Sequence, residues 1–397
     1  MKAKRIFAMA LAMMMSLSIV ACNNGGSTGD STGTVNNGDK YDKNSTIKFG
    51  LISALSGENA SQGQYAKEGA ELFKKSINEA GGVLGKKIEI IYEDEASSEQ
   101  QGSIYAALKL ATRGDITGIF GTTVSSTNNI AIMPTIAEYK IPLMAGGSSA
   151  NIKKENNPFV WQARMSDDLT GVVMAKSAVE VLGMKNPAII HGSDSFGAGL
   201  AIATTNALKK NHNIQPKIDI VYNPNEKQYT PFLSQILNSG ADGIIAISHQ
   251  VDAGVIMKQV AAMGIKLPVI GSTSYVSEIA LSAAKEASNG WYAIGDWTNE
   301  VPTPEGKKFV ADYRQAYNRE PDMPSAFAYD SFAILAEAVK IAGTADPVKV
   351  NDAIAKVKAL KGVASTFTPD EGRVLGTSQF LVQIVNGKAV IKQSITR

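Results

Sequence analysis

The chain has 397 residues, 44% of them hydrophobic and 19% charged, a globular balance with length enough for two domains. Its formal net charge is +2, and leaving out Lys2, Lys4 and Arg5 brings that to −1, so no charge bias towards nucleic acid remains. Cys22 is the only cysteine, which excludes a disulfide framework.

Lys2, Lys4 and Arg5 precede an apolar run, Ile6–Val20, that is shorter than the ~20 residues of a membrane span. The run closes on Ile19-Val20-Ala21-Cys22, which resembles the cleavage box of bacterial lipoproteins, with a small residue before the thiol to be lipidated. Residues 1–21 are therefore expected to be a lipoprotein signal peptide and Cys22 a lipid anchor. Several acyl chains at ~0.8 kcal/mol per buried CH₂ make such an anchor stable. Residues 22–45 are rich in Gly, Ser, Thr and Asn and lack the apolar side chains needed to offset ordering, so they read as a flexible tether.

A strand is expected at Ile47–Ser53, then a loop and a helix from Gly63 to Ala80 that Gly81-Gly82 stops. Ile88–Tyr92 reads as a strand, Glu93–Ser98 as a loop and Glu99–Thr112 as a helix. Glu93, Asp94 and Glu95 form a carboxylate run, expected as a solvated face. The next stretch, Ile116–Asn129, carries the most chemistry. An apolar strand ends in Gly121, hydroxyl residues Thr122, Thr123, Ser125, Ser126 and Thr127 follow, and a helical pattern begins. Backbone N–H groups at a helix start carry partial positive charge, and hydroxyls beside them suit a small carboxylate or phosphate. A Ser/Thr helix cap with no ligand is the plainer reading. A strand at Ile141–Ala145 runs into Gly146-Gly147-Ser148-Ser149.

A second series follows Trp161–Asp168, with a helix at Val172–Leu182 and a strand at Pro187–His191. The turn Gly192–Gly199 opens a helix at Leu200–Asn211, a strand follows at Lys217–Tyr222, and Phe232–Asn238 lies in a helix. Gly243–Ser248 and Val269–Gly271 read as strands around a helix at Val251–Met263. The series echo one another, since Lys140-Ile-Pro-Leu-Met-Ala-Gly-Gly-Ser-Ser is matched by Lys266-Leu-Pro-Val-Ile-Gly-Ser-Thr-Ser. Alternating strands and helices imply parallel sheets covered on both faces. Helices at Glu305–Tyr317, Ala326–Ala342 and Val348–Lys358 precede a terminal hairpin, Phe380–Val385 and Ala389–Gln393, joined at Asn386-Gly387.

No H-E-x-x-H or Cys/His zinc spacing, no P-loop and no G-x-S-x-G elbow occurs, so neither a metal nor a cofactor is expected. Of the three histidines, His191 at a strand end is expected to be packed or capped and His212, in K-K-N-H-N, to be solvated.

I-K-F-G-L-I-S-A-L-S-G, I-N-E-A-G-G-V-L-G-K-K-I-E, the V-S-S-T turn, I-I-H-G-S-D-S-F-G-A-G and F-A-Y-D-S-F-A-I-L-A-E-A-V together resemble the branched-chain amino acid-binding family, the solute-binding lipoproteins of ABC importers. The likeness runs from Thr46 to Gln393. It implies an α/β fold of two Rossmann-like lobes with parallel sheets, joined by a three-crossing hinge, as in type I periplasmic binding proteins. The crossings would fall near Met165, Gly295 and Gly376. Lobe one would be 46–165 with 296–376, and lobe two 166–295 with the terminal hairpin at 377–397. By the same resemblance Ser125 takes a ligand carboxylate, Gly147 and Ser149 support it, and Phe196 stacks on the ligand. The family's aromatic in the first loop falls on Gln62, a further tyrosine position on His249, and the acid that grips an ammonium on Thr273. The ammonium end therefore reads as altered: either a nearby acid such as Asp252 or Asp194 swings in, or the ligand makes a weaker demand for negative charge there, as an amide or an amino-free carboxylate would. The implied protein is a lipid-anchored monomer outside the cytoplasm that captures a small carboxylate, an amino acid first, for an ABC permease. A sensory binding protein signalling to a membrane receptor would use the same residues. An enzyme such as an amidohydrolase is disfavoured by the missing nucleophile–base pair.

Overall fold

A computed structural model describes residues 41–96, 100–123 and 125–396. The expected signal peptide, Cys22, the tether as far as Lys40, Ser97 to Glu99 and Val124 lie outside the described residues. The last part of the expected tether is fastened to the head. Asp42 accepts from Thr344 Oγ1 at 3.0 Å and from the Ala345 N–H at 3.3 Å, and Tyr41 packs on the core.

The first lobe alternates strand and helix: β1 (Thr46–Ser53), α1 (Ala60–Glu79), β2 (Lys87–Asp94), α2 (Gln100–Thr112), β3 (Ile116–Gly121) and α3 (Ser126–Tyr139). β4 (Leu143–Ala145), a short α4 (Ala150–Lys154) and β5 (Val160–Gln162) complete it. The strands lie all-parallel in the order β2-β1-β3-β4-β5. Every residue of β3 is buried, as a strand covered on both faces requires.

The second lobe repeats the pattern. α5 (Asp167–Lys176) runs into one π-helical turn (Ser177–Val181), then β6 (Pro187–Gly192), α6 (Ser195–His212), β7 (Ile218–Tyr222) and α7 (Thr230–Ser239) follow. β8 (Gly243–Ile247), α8 (Gln250–Ala262), β9 (Val269–Gly271), α9 (Glu278–Ala284) and β10 (Tyr292–Gly295) close the series. Its parallel core has the order β7-β6-β8-β9-β10, the topology of lobe one.

After β10 the chain returns to cover the first sheet with α10 (Pro304–Tyr317), α11 (Met323–Ala342) and α12 (Pro347–Ile354). Phe332 of α11 packs on Phe49 and Phe120, with ring centroids 5.8 and 6.1 Å away. Gly69 lets α1 cross α11 closely, because a Cβ there would sit 2.0 Å from the Ser325 carbonyl oxygen. A small β11–β12 ladder (Leu360–Lys361, Thr366–Phe367) precedes the terminal hairpin, β13 (Ser378–Val385) and β14 (Lys388–Thr396), which adds antiparallel to β10. Asn386 and Gly387 both adopt positive φ, 52° and 73°, as a two-residue hairpin turn requires.

Two sequence expectations are corrected, and two elements are added. Glu93 and Asp94 belong to β2, and Glu95 is 1% exposed rather than part of a solvated face. The turn after β6 is short, since α6 begins at Ser195 instead of Leu200. Its glycines serve packing, because a Cβ on Gly197 would meet the Gly192 carbonyl oxygen at 2.2 Å. The segments at 150–154 and 160–162 are a helix and a strand that the pattern did not announce, being too short to show a period.

Candidate ligand-binding site

Each parallel sheet has one place where the chain's strand order reverses, between β1 and β3 in the first lobe and between β6 and β8 in the second. Loops at the carboxyl ends of such neighbours diverge and leave a crevice. The two crevices face each other across a cavity of about 340 Å³, within the size range of small-ligand sites. Gln62 comes from the helix after β1, Ser125 and Asn128 follow β3, Asp194 follows β6, and His249 and Val251 follow β8.

Ser125 caps α3, its Oγ accepting the Asn128 N–H at 3.2 Å. That role uses an oxygen lone pair and leaves the O–H to donate outward, so cap and ligand donor are compatible. The turn before it is braced from within. Thr122 Oγ1 donates to the Ser125 carbonyl at 3.0 Å and accepts from Asn129 Nδ2 at 2.8 Å, and Ser53 and Thr123 share a hydroxyl hydrogen bond. Beneath the helix start, Glu95 Oε2 accepts from Ser103 Oγ at 2.7 Å and from Asn128 Nδ2 at 3.4 Å. Burial dominates those bonds and pushes the Glu95 carboxyl up to about 7.

Across the cavity, Asp194 caps α6, its Oδ1 accepting from the N–H groups of Phe196 (2.8 Å) and Gly197 (3.1 Å). Its Oδ2 lies 3.2 Å from His249 Nε2. Burial opposes the Asp194 charge, but His249 and the two N–H donors outweigh it and hold the carboxyl at about 2. Burial likewise disfavours imidazolium at His249, and Asp194 reverses that and raises its pKa. The His249 ring rests on Phe196, centroids 5.3 Å apart.

The seven residues singled out by sequence thus separate into two groups. Gln62, Ser125 and His249 line the cavity. Gly147, Ser149, Phe196 and Thr273 do not, and each is engaged elsewhere. The Gly147 N–H donates to Asn129 Oδ1 at 2.8 Å. Ser149 Oγ donates across the lobes to the Ser195 carbonyl at 3.0 Å. Phe196 is buried beneath His249. Thr273 Oγ1 accepts from Arg164 Nη2 at 3.0 Å, and Arg164 also pairs with Asp296 at 2.6 Å. The sequence carried no signal for Arg164, and it offered Asp194 only beside Asp252 as a replacement acid. The cap pattern, Asp followed by a residue run that starts a helix, was the available signal for Asp194.

Away from this cavity, His191 is buried, its Nδ1 2.8 Å from the Gly192 carbonyl and its Nε2 3.3 Å from Asp219, as expected of a packed strand end. His212 is half-buried at the end of α6.

Comparison with known proteins agrees with this architecture. The model of the periplasmic binding protein family matches residues 46–389. A Leu/Ile/Val-binding protein homolog from Brucella abortus is 26% identical over 331 residues, covering 82% of this chain and 86% of that one. Two solved structures share the fold. One is a branched-chain amino acid transporter substrate-binding protein from Streptococcus pneumoniae in complex with isoleucine (TM-score 0.80, 24% identity, 89% of this chain and 99% of that one). The other is an ABC transporter solute-binding protein from R. palustris in complex with benzoate (TM-score 0.80, 20% identity, 89% and 98%). This chain belongs to the periplasmic binding protein family, a family of solute-binding proteins of the ABC type rather than of enzymes.

Proposed function

We propose that the protein captures a small carboxylate, in the first instance an amino acid of the branched-chain type, between two lobes that close on it, and delivers it to an ABC importer. The observation that carries this reading is the Ser125 turn. A helix N-terminus and an available hydroxyl open on a cavity whose far wall belongs to the other lobe. Isoleucine and benzoate, held by two proteins of this fold, have a carboxylate in common. The division of the chain into lobes at Met165, Gly295 and Gly376, the monomeric state, and an extracytoplasmic location on a Cys22 lipid anchor belong to the same proposal.

Two experiments test it. Ser125→Ala removes one hydrogen bond to a charged group, worth about 1.5–3 kcal/mol, and should weaken ligand binding about ten- to hundredfold in calorimetry. Unchanged affinity would reduce the turn to a helix cap. Cys22→Ser should move the protein from the membrane to the soluble fraction, and a variant that stays with the membrane would refute the anchor.

A further inference from the structure

We propose that Asp194 is the acceptor for the ligand's ammonium group, and that the ammonium takes its place there by displacing His249. The inference rests on the reading of Ser125 as the carboxylate donor and extends it to the other end of the ligand.

The position where relatives would offer an acid is closed to an ammonium. Thr273 gives its hydroxyl oxygen to Arg164 at 3.0 Å and does not line the cavity. Asp252 is also unsuited. It is 1% exposed, its oxygens accept the Asn225 N–H at 3.2 and 3.3 Å, and it does not line the cavity. Asp194 is the carboxylate among the described residues that lines the cavity.

Its geometry fits the task. Two N–H bonds at Oδ1 fix the carboxylate at the start of an 18-residue helix, while Oδ2 faces the His249 ring. The bond to His249 is long, 3.2 Å, and the His249 side chain keeps 27% of its surface exposed. A primary ammonium has three N–H donors and makes a shorter charge-assisted bond than the 3.2 Å imidazole contact. The two partners stand close enough for one small molecule, because the N–H of Ser195, next to Asp194, reaches Thr127 Oγ1, two residues past Ser125, at 3.4 Å. An α-amino acid holds its two charged groups one carbon apart, and this corner of the cavity offers one partner for each.

A proton follows from the exchange. The charged groups that act on His249 are Asp194, Asp252 and Arg164, and of these Asp194 acts most strongly to keep its proton on. Once an ammonium neutralises Asp194, imidazolium is disfavoured by burial and by Arg164, and His249 releases its proton. Affinity for an amino acid therefore rises with pH through the titration of His249, while an amino-free carboxylate leaves the pair intact and binds without this dependence.

The test is calorimetry on the full chain with L-leucine and L-valine against their 2-oxo acid analogues, and with benzoate. Wild type should prefer the amino acids at least thirtyfold. Asp194→Asn, which preserves a helix cap, should bring the two series within about threefold by weakening only the amino acids, whereas Ser125→Ala should weaken both. His249→Gln should abolish the rise of amino-acid affinity with pH, a readout that stands even if the Asp194 variant folds poorly. Equal binding of the two series by wild type, or equal losses for both in Asp194→Asn, overturns the proposal. Selective loss in Asp194→Asn with no effect of Ser125→Ala keeps Asp194 and overturns the carboxylate reading. If no compound of either series and no benzoate binds, both fall.

Discussion

Arg164→Met should lower the stability of the protein by about 3–5 kcal/mol, because it leaves the Asp296 carboxylate buried without its cation. The pair is enclosed, with side-chain exposures of 4% and 2%. Arg164 Nε donates to Asp296 Oδ2 at 2.7 Å, and Gln379 Nε2 donates to Asp296 Oδ1 at 2.7 Å and to Thr170 Oγ1 at 2.8 Å. Arg164 follows β5, Asp296 follows β10 and Gln379 lies in β13, so one network joins the three segments by which the chain passes between the sheets. The guanidinium also reaches the Gly146 carbonyl at 3.4 Å and lies over the Phe327 ring at 5.8 Å. Urea unfolding of Arg164→Met and of Arg164→Met with Asp296→Leu makes the test. The double variant should recover much of the loss, since an apolar pair has no stranded charge. A single variant within 1 kcal/mol of wild type would show that the network contributes little.

Gly146→Val should cost about 3 kcal/mol and weaken ligand binding at least tenfold, through overpacking under the hydroxyl turn. A Cβ at Gly146 would stand 1.8 Å from the Thr123 carbonyl oxygen and 2.4 Å from its carbon, and backbone cannot swing aside as a long side chain can. The displaced segment leads directly into Ser125, and the Gly146 N–H is itself bound to the Gly121 carbonyl at 3.0 Å. Denaturant titration and calorimetry on the same variant read the two effects. Full stability with normal affinity would mean that the turn can shift freely, contrary to its internal hydrogen bonds.

The parts that were legible share one property, in that their causes are local. The strand–turn–helix at Ser125 shows because apolar residues, small hydroxyls and a helical period follow one another within a few positions, and the structure places Ser125 at the cap with its Oγ on Asn128. The Asn386-Gly387 turn shows because few residues accept two positive φ values in succession. The doubled order of strands shows because two similar spacings of strand, turn and helix must fold alike.

What remained hidden depends on partners far away in the chain. The run Glu93-Asp94-Glu95 has the composition of a solvated loop, yet Glu95 is covered because Ser103 and Asn128 supply donors from two helices. The G-S-D-S-F-G-A-G string looks like a flexible turn, but its glycines allow close backbone approach, and Gly199 faces Ser149 of the other lobe, where a Cβ would lie 3.0 Å from Oγ.

The sequence by itself determined the alternation of strands and helices, their pairing into two like lobes, and the hydroxyl cap suited to a carboxylate, since periodicity and capping act over a single turn or strand. Only the tertiary structure decided which polar groups meet. Arg164 and Asp296 are 132 positions apart, Asp194 and His249 are 55 apart, and Thr273 accepts from Arg164, 109 positions away. Such meetings depend on how two lobes pack, and burial then sets the strength of each charge.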